Sequence, residues 1–300
     1  MVDTPTLTRK IDDVLIRTTS YLEALNELEG LYQFRLADSD NGRAIAVTGH
    51  SRTGKTKWSR SVIEMFEDKG RPEILYVRVP SNPSLKAVAT EILNEMKDPF
   101  AHKTRVNTSQ ITDRVANLFK DKRYAFIVLD EAHHIAPMGK NRIVWEAAEW
   151  LKSLMNKGVF LVLVGLPDVQ EIVTGNSQLQ NRLIGHAQMK TSEFESKLGR
   201  DFLRKLLTEY DAILVDPEYG FPKPSNLVDF ADRLTSASSG YLGRLSTLVQ
   251  RAVYFAAANQ KAKCVELCHL EKAYDSVNLG QGWGTTNPFR PRKRATSKAA

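Results

Sequence analysis

The chain has 300 residues, 42% hydrophobic and 26% charged, with a net charge of +7 and two cysteines. This is an ordinary globular composition, long enough for one large domain or two modest ones with real cores. No apolar run approaches the roughly 18 residues that cross a bilayer, and MVDTPTLTRKIDDV lacks the apolar core of a signal peptide, so a cytoplasmic protein with no membrane partner is expected.

Residues 6–32 carry Ile11, Val14, Leu15, Leu22, Leu25 and Leu28 at near-helical spacing, which predicts one or two helices leading into the main domain. The period then changes. AIAVT (44–48), EILYVRV (73–79), YAFIVLD (124–130) and VFLVLVG (159–165) are short runs rich in Val, Ile and Leu. Helical patterns at 54–68, 84–96, 109–122 and 141–156 separate them. Strands apolar on both faces and alternating with helices predict a parallel sheet covered on both sides, with a fifth strand near 187–190.

From about Thr191 the strand signal stops. Patterns at 193–210, 225–237, 241–260 and 269–277 read as helices, the first two separated by the turn-rich PEYGFPKPSN. The expected organisation is a helical lead (1–35), an α/β core (36–191), a small all-helical lid (192–278) and a basic flexible tail (279–300). Five net positive charges (Arg290, Arg292, Lys293, Arg294 and Lys298) follow Asp275, the last acid, leaving +2 for the rest, so the basic character is mostly that tail. Cys264 and Cys268 adjoin His269, but no second pair completes a metal site, and both read as core thiols.

The chemistry starts at GHSRTGKT, residues 49–56, between an apolar strand and a helix. Gly49, His50, Ser51, Arg52, Thr53, Gly54, Lys55 and Thr56 form a Walker A loop, in which backbone N–H groups and a helix N-terminus face phosphates. Lys55 would reach the β and γ phosphates of ATP, and the Thr56 hydroxyl would hold Mg²⁺. FIVLDE (126–131) then brings Asp130 and Glu131 to the same sheet edge, Asp130 for Mg²⁺ and Glu131 to activate the attacking water. The following Ala132 and His133 complete DEAH, but a helicase of that type needs a second RecA-like domain; His133 and His134 read as turn residues.

Arg182, in NSQLQNRLIGH, precedes the fifth strand, where ring- or helix-forming ATPases place an arginine that reaches a neighbour's γ-phosphate. Arg244, in SSGYLGRLSTLVQRA, begins a lid helix and could fold over the phosphates of its own subunit. Taken together, these motifs resemble the AAA+ ATPases. More narrowly, GHSRTGKT, FIVLDEAHH, LVLVGLPDV, QLQNRLIG and SGYLGRL resemble the TniB/TnsC family of transposition regulators, cousins of the Mu B protein, over about residues 5–278.

That resemblance implies an ATP-dependent DNA-binding ATPase that forms a homo-oligomeric ring or filament on double-stranded DNA without sequence preference. It would recruit a DDE transposase (TniA/TnsB-like) and respond to a target-selection protein (TniQ/TnsD-like). It implies Walker A roles for Lys55 and Thr56, Walker B roles for Asp130 and Glu131, an arginine finger at Arg182 and sensor 2 at Arg244. One departure stands out: where many AAA+ proteins end the fourth strand on Asn, Thr or Ser, this chain has Gly165 and Leu166, so either a nearby group such as Asp168 takes that role or hydrolysis is slow. For DNA, the basic loop HKTRVNTS offers Lys103 and Arg105 as phosphate contacts. Competing readings are another AAA+ ATPase, such as a helicase loader or secretion-associated ATPase, and a small-molecule phosphotransferase.

Overall fold

The computed structural model describes residues 2–15, 17–81, 83–102, 107–135, 141–191, 194, 196–284 and 286–291, with backbone alone at 141 and 281. The chain divides into two compact units, Arg17–Lys190 and Met1–Ile16 with Thr191–Ala300.

The first unit is a parallel sheet between helices. Its strands are β1 (Ala44–Thr48), β2 (Ile74–Arg78), β3 (Phe126–Asp130), β4 (Leu161–Gly165) and β5 (Leu183–Gln188), in the order β2-β3-β4-β1-β5. Every neighbouring pair is parallel. β1, β3 and β4 are buried at each position, as uninterrupted apolar runs require when both faces are covered. The fifth strand starts four residues earlier than 187–190. As an edge strand it alternates in burial, and Gly185 and His186 break its apolar pattern, so only its end resembled a buried strand.

The helices of this unit are α2 (Thr19–Ala37), α3 (Lys55–Asp68), α4 (Leu85–Glu95), α5 (Thr108–Asp121), α6 (Asn141–Asn156), α7 (Val169–Thr174) and α8 (Ser177–Gln180). Their starts have local causes. Thr18 and Ser84 accept a backbone N–H from the first turns of α2 and α4, and Asn107 forms a reciprocal capping box with Gln110 at α5. An aromatic cluster joins α2, α3 and β3: Tyr32 and Phe66 lie 5.2 Å apart, and Phe66 and Phe126 5.7 Å, all edge to face. Arg71 covers the rings of Tyr32 and Phe66 at 4.7 and 4.9 Å while bonding Glu29 at 2.8 Å.

The second unit is helical: α1 (Thr4–Asp13), α9 (Lys197–Leu214), α10 (Ala231–Ser238), α11 (Leu242–Ala258) and α12 (Leu267–Gln281). Leu203, Leu206, Leu207, Tyr210 and Leu214 make one buried stripe along α9 at helical spacing. It packs into a core with Leu7 and Ile11 of α1 and with Leu245, Leu248, Val249, Ala252 and Val253 of α11. The single helix expected at 225–237 is instead a 3₁₀ turn, Leu227–Phe230, followed by α10. Asn226 is left-handed at φ 52°, and the Asp211 carboxylate takes the Leu227 N–H at 2.7 Å, which starts a tight turn. The thiols are not core: Cys268 is exposed and Cys264 half-buried. Among the described residues, no helix is long and apolar enough to cross a membrane.

Candidate nucleotide site

Because all five strands are parallel, their C-terminal ends share one edge, and the loops that follow β1, β3 and β4 meet there. The loop after β1 turns through two left-handed residues, Arg52 at φ 68° and Gly54 at φ 96°, before α3 begins at Lys55. Successive turns of this kind point backbone N–H groups inward, and the helix N-terminus adds its partial positive charge. Lys55 is buried, and its ammonium donates to the carbonyls of Gly49 and His50 at 2.7 and 2.8 Å. Burial pulls its pKa down, opposed by the charges of Glu131 and Asp130. The loop is thus a polar cradle of the kind a polyphosphate fits.

Asp130 ends β3 at 1% exposure. Three donors hold its carboxylate: the Thr56 hydroxyl at 2.9 Å, the Tyr76 hydroxyl at 2.7 Å and the Glu131 N–H at 2.9 Å. Burial, then the bond to Asp130, raises the pKa of Tyr76, so the phenol stays a donor. Tyr76 was not singled out in the sequence, since its role depends on β2 lying beside β3. Glu131 follows with a left-handed backbone, φ 59°. A non-glycine residue held there stores about 1–3 kcal/mol of strain, which is characteristic of functional turns.

His133, on the 3₁₀ turn Ala132–Ile135, links this turn to the end of β4. Its Nδ1 accepts the Leu166 N–H at 3.3 Å and lies 3.5 Å from Glu131 Oε2. Burial first, then His134, lowers the His133 pKa, in keeping with a neutral acceptor. A Cβ on Gly165 would stand 2.7 Å from Val169 Cγ2 and 3.1 Å from His133 Nδ1, so a larger residue at the end of β4 would collide with this imidazole. The histidine read as a turn residue thus occupies space beside the strand end that lacks Asn, Thr or Ser. Asp168 starts α7 without a side-chain capping bond.

The other candidates lie elsewhere. Arg182 precedes β5, at the N-terminal edge of the sheet, where its Nη1 donates to the Gly42 carbonyl at 3.2 Å. β1 runs from that edge to the phosphate loop over five residues, about 16 Å of strand. Arg244 belongs to the helical unit, where its guanidinium lies over the rings of Tyr241 and Trp283 at 4.5 and 5.5 Å. Lys103 and Arg105, with the tail from 292 onward, lie outside the described residues.

The sequence pattern of the family described as "Bacterial TniB protein" matches residues 7–192. The chain belongs to the TniB family. Among curated proteins none matches the sequence. Several solved structures share the fold of this TniB chain. Aeropyrum pernix ORC2, solved as ADPNP-ADP complexes, has 16% identity over 84% of this chain and 67% of its own, at a TM-score of 0.59. Pyrobaculum aerophilum Cdc6p has 17% identity over 85% and 66%, at 0.62. Aeropyrum pernix ORC1 in complex with DNA has 16% identity over 89% and 67%, at 0.57. The chain therefore spans about two thirds of the length of these proteins. Family and fold together make this TniB chain an AAA+ P-loop ATPase, a nucleotide-binding enzyme.

Proposed function

We propose that this ATPase assembles on double-stranded DNA of arbitrary sequence in its ATP state and presents that DNA to a DDE transposase of the TniA/TnsB type, under a TniQ/TnsD-like selector. The observation that carries the reading is the separation of Arg182 from Lys55 by the full length of β1. An arginine on that edge serves the γ-phosphate of a neighbouring copy, so hydrolysis requires a homo-oligomer, a ring or a filament. Further support comes from the TniB family match and from the DNA in the ORC1 complex, which has the same fold.

In this mechanism Lys55 and the N–H groups of residues 49–56 hold the β and γ phosphates. Glu131 accepts a proton as a water oxygen bonds to the γ-phosphorus, and the bond from that phosphorus to the β,γ-bridging oxygen breaks, its electron pair leaving with ADP. Arg182 of the neighbouring copy neutralises the charge that develops, and Arg244 serves as the sensor of its own subunit. The Thr56 hydroxyl and Asp130 carboxylate are hard oxygen donors 2.9 Å apart, a set that suits Mg²⁺. When bound, that ion would polarise the phosphoryl oxygens. Lys103 and Arg105 are assigned to DNA phosphates, which would make binding salt-dependent and indifferent to sequence.

Electron microscopy with plasmid DNA and a slowly hydrolysed ATP analogue tests the reading. Multi-subunit assemblies on DNA are expected, and monomers alone would sink it.

A further inference from the structure

We propose that Arg43 and Arg182 form a single anion site, built for the terminal phosphate of ATP bound to a second copy of this chain. The inference rests on Arg182 acting across a subunit interface and adds to it a second arginine from a different part of the sequence.

The sheet brings the two together. Arg43 immediately precedes β1 and Arg182 immediately precedes β5, and these neighbouring strands are in register with Ala44 opposite Leu183. Two residues 139 positions apart, each one step before a paired position, therefore emerge side by side at one edge. Both direct Nη1 at the same oxygen, the Gly42 carbonyl, Arg182 at 3.2 Å and Arg43 at 3.4 Å. That carbonyl is fixed from behind: the Gly42 N–H donates to Met155 O at 3.0 Å, and a Cβ on Gly42 would stand 2.2 Å from Val159 O. Arg43 is held in addition over the Phe34 ring at 5.1 Å. The pair is therefore positioned by packing.

Charge tells the rest. Arg71, Arg114 and Arg142 in the same unit each have a carboxylate partner, Glu29, Asp98 and Glu146. Among the described residues, neither Arg43 nor Arg182 makes a direct ion pair with a carboxylate; they share a neutral carbonyl and repel each other. Burial, then the nearby Arg43, lowers the pKa of Arg182, the expected sign for a guanidinium beside a like charge. Asp38 feels the charge of Arg43 but forms no direct ion pair with it, so the two half-buried guanidiniums still lack a bonded anion, and their planar forks match the oxygens of a phosphate. Their position on the edge remote from the chain's own Lys55 assigns that phosphate to another copy.

The test measures ATP turnover on plasmid DNA with Mg²⁺, and affinity for a fluorescent ATP analogue, for Arg43→Ala, Arg182→Ala and Lys55→Ala, alone and mixed. Arg43→Gln, which keeps an aliphatic stem over Phe34, is used if the alanine variant does not fold. Each arginine variant is expected to lose at least about tenfold in kcat with nucleotide affinity within about twofold, a modest share of what an arginine finger contributes. An equimolar mixture of Arg43→Ala and Lys55→Ala should recover about a quarter of wild-type turnover, because one head-to-tail interface in four then joins an intact loop to intact arginines. If only Arg182→Ala loses activity, Arg43 is not part of the site, and the finger reading survives. If neither does, that reading falls as well. Loss at Arg43 without recovery in the mixture places its action within its own subunit and overturns the proposal. So does weaker DNA binding at unchanged kcat, which would make DNA phosphate the anion.

Discussion

Thr56 and Asp130, 74 positions apart, are joined by a hydrogen bond of 2.9 Å from the hydroxyl to the carboxylate. One residue lies in the first turn of the helix after the phosphate loop and the other closes β3, so the bond aligns a helix and a strand on one pair of hard oxygens. Asp130→Asn should therefore lower turnover at saturating ATP by at least about a hundredfold, within the range seen when electrostatic groups of a transition state are removed. Thr56→Ser should retain most activity, and Thr56→Ala should raise the Mg²⁺ concentration needed. Turnover measured against Mg²⁺ checks this, and an unchanged Mg²⁺ requirement in Thr56→Ala would remove Thr56 from the ion's ligands.

Tyr76 donates to the same Asp130 oxygen at 2.7 Å. Tyr76→Phe leaves that oxygen with one donor fewer, worth about 1.5–3 kcal/mol for a bond to a charged group. The expected result is an Mg²⁺ requirement raised by about tenfold or more at little change in ATP affinity. Equal Mg²⁺ curves for variant and wild type would mean the phenol only fills space.

Much of this frame could be read before any coordinates. β1, β3 and β4 were evident because runs such as FIVL (126–129) are apolar at consecutive positions, which only a strand covered on both faces needs. The edge strand β5, half exposed and broken by Gly185 and His186, was placed late for the opposite reason. In the site, the phosphate loop and the strand ending in Asp130 are contiguous strings. The contacts of Tyr76 with Asp130 and of His133 with Leu166 bridge 54 and 33 positions, and no local pattern announces them. They depend on which strands are neighbours. A glycine ending β4, the strand beside the one that runs into DEAHH, was the available clue to His133.

Glu131→Gln removes the proposed proton acceptor but keeps the shape of the side chain. ATP binding should persist while turnover falls by about a hundredfold or more, in line with the loss of a general base, and assemblies on DNA should outlast those of the wild type. Sedimentation after ATP chase measures this; wild-type turnover would free Glu131 from the role.

His133→Ala breaks the link between Leu166 and the Glu131 turn. A roughly tenfold loss of kcat at constant KM is expected, since the imidazole fixes the turn that carries Glu131 to the end of β4 by accepting the Leu166 N–H. His133→Asn, which can still accept the Leu166 N–H, should recover part of it. A change confined to KM would place His133 in nucleotide binding instead.

The ion pair of Asp98 with Arg114 predicts a pH effect on stability. The hydrogen bond from Arg114 holds the Asp98 carboxyl below its ordinary value of 3.8. Its folded pKa is depressed, so its contribution is fully present above about pH 4 and is lost as the pH falls through the lowered value. Asp98→Asn should lower Tm at pH 7, and the gap to wild type should close toward pH 3. A gap that does not narrow at all as the pH falls below 4 would assign the loss to packing rather than charge.

The length of β1 has one more consequence. With its phosphate loop at one end of that strand and Arg182 at the other, a single chain would, in the proposed assembly, carry the front half of one reaction centre and the back half of another. On that proposal neither half would work alone. At concentrations where chains rarely meet, the rate should climb with the square of protein added and become linear only once they are crowded together. Such an enzyme would measure local density, and a stretch of DNA that gathered many copies would become the place where its clock starts to run.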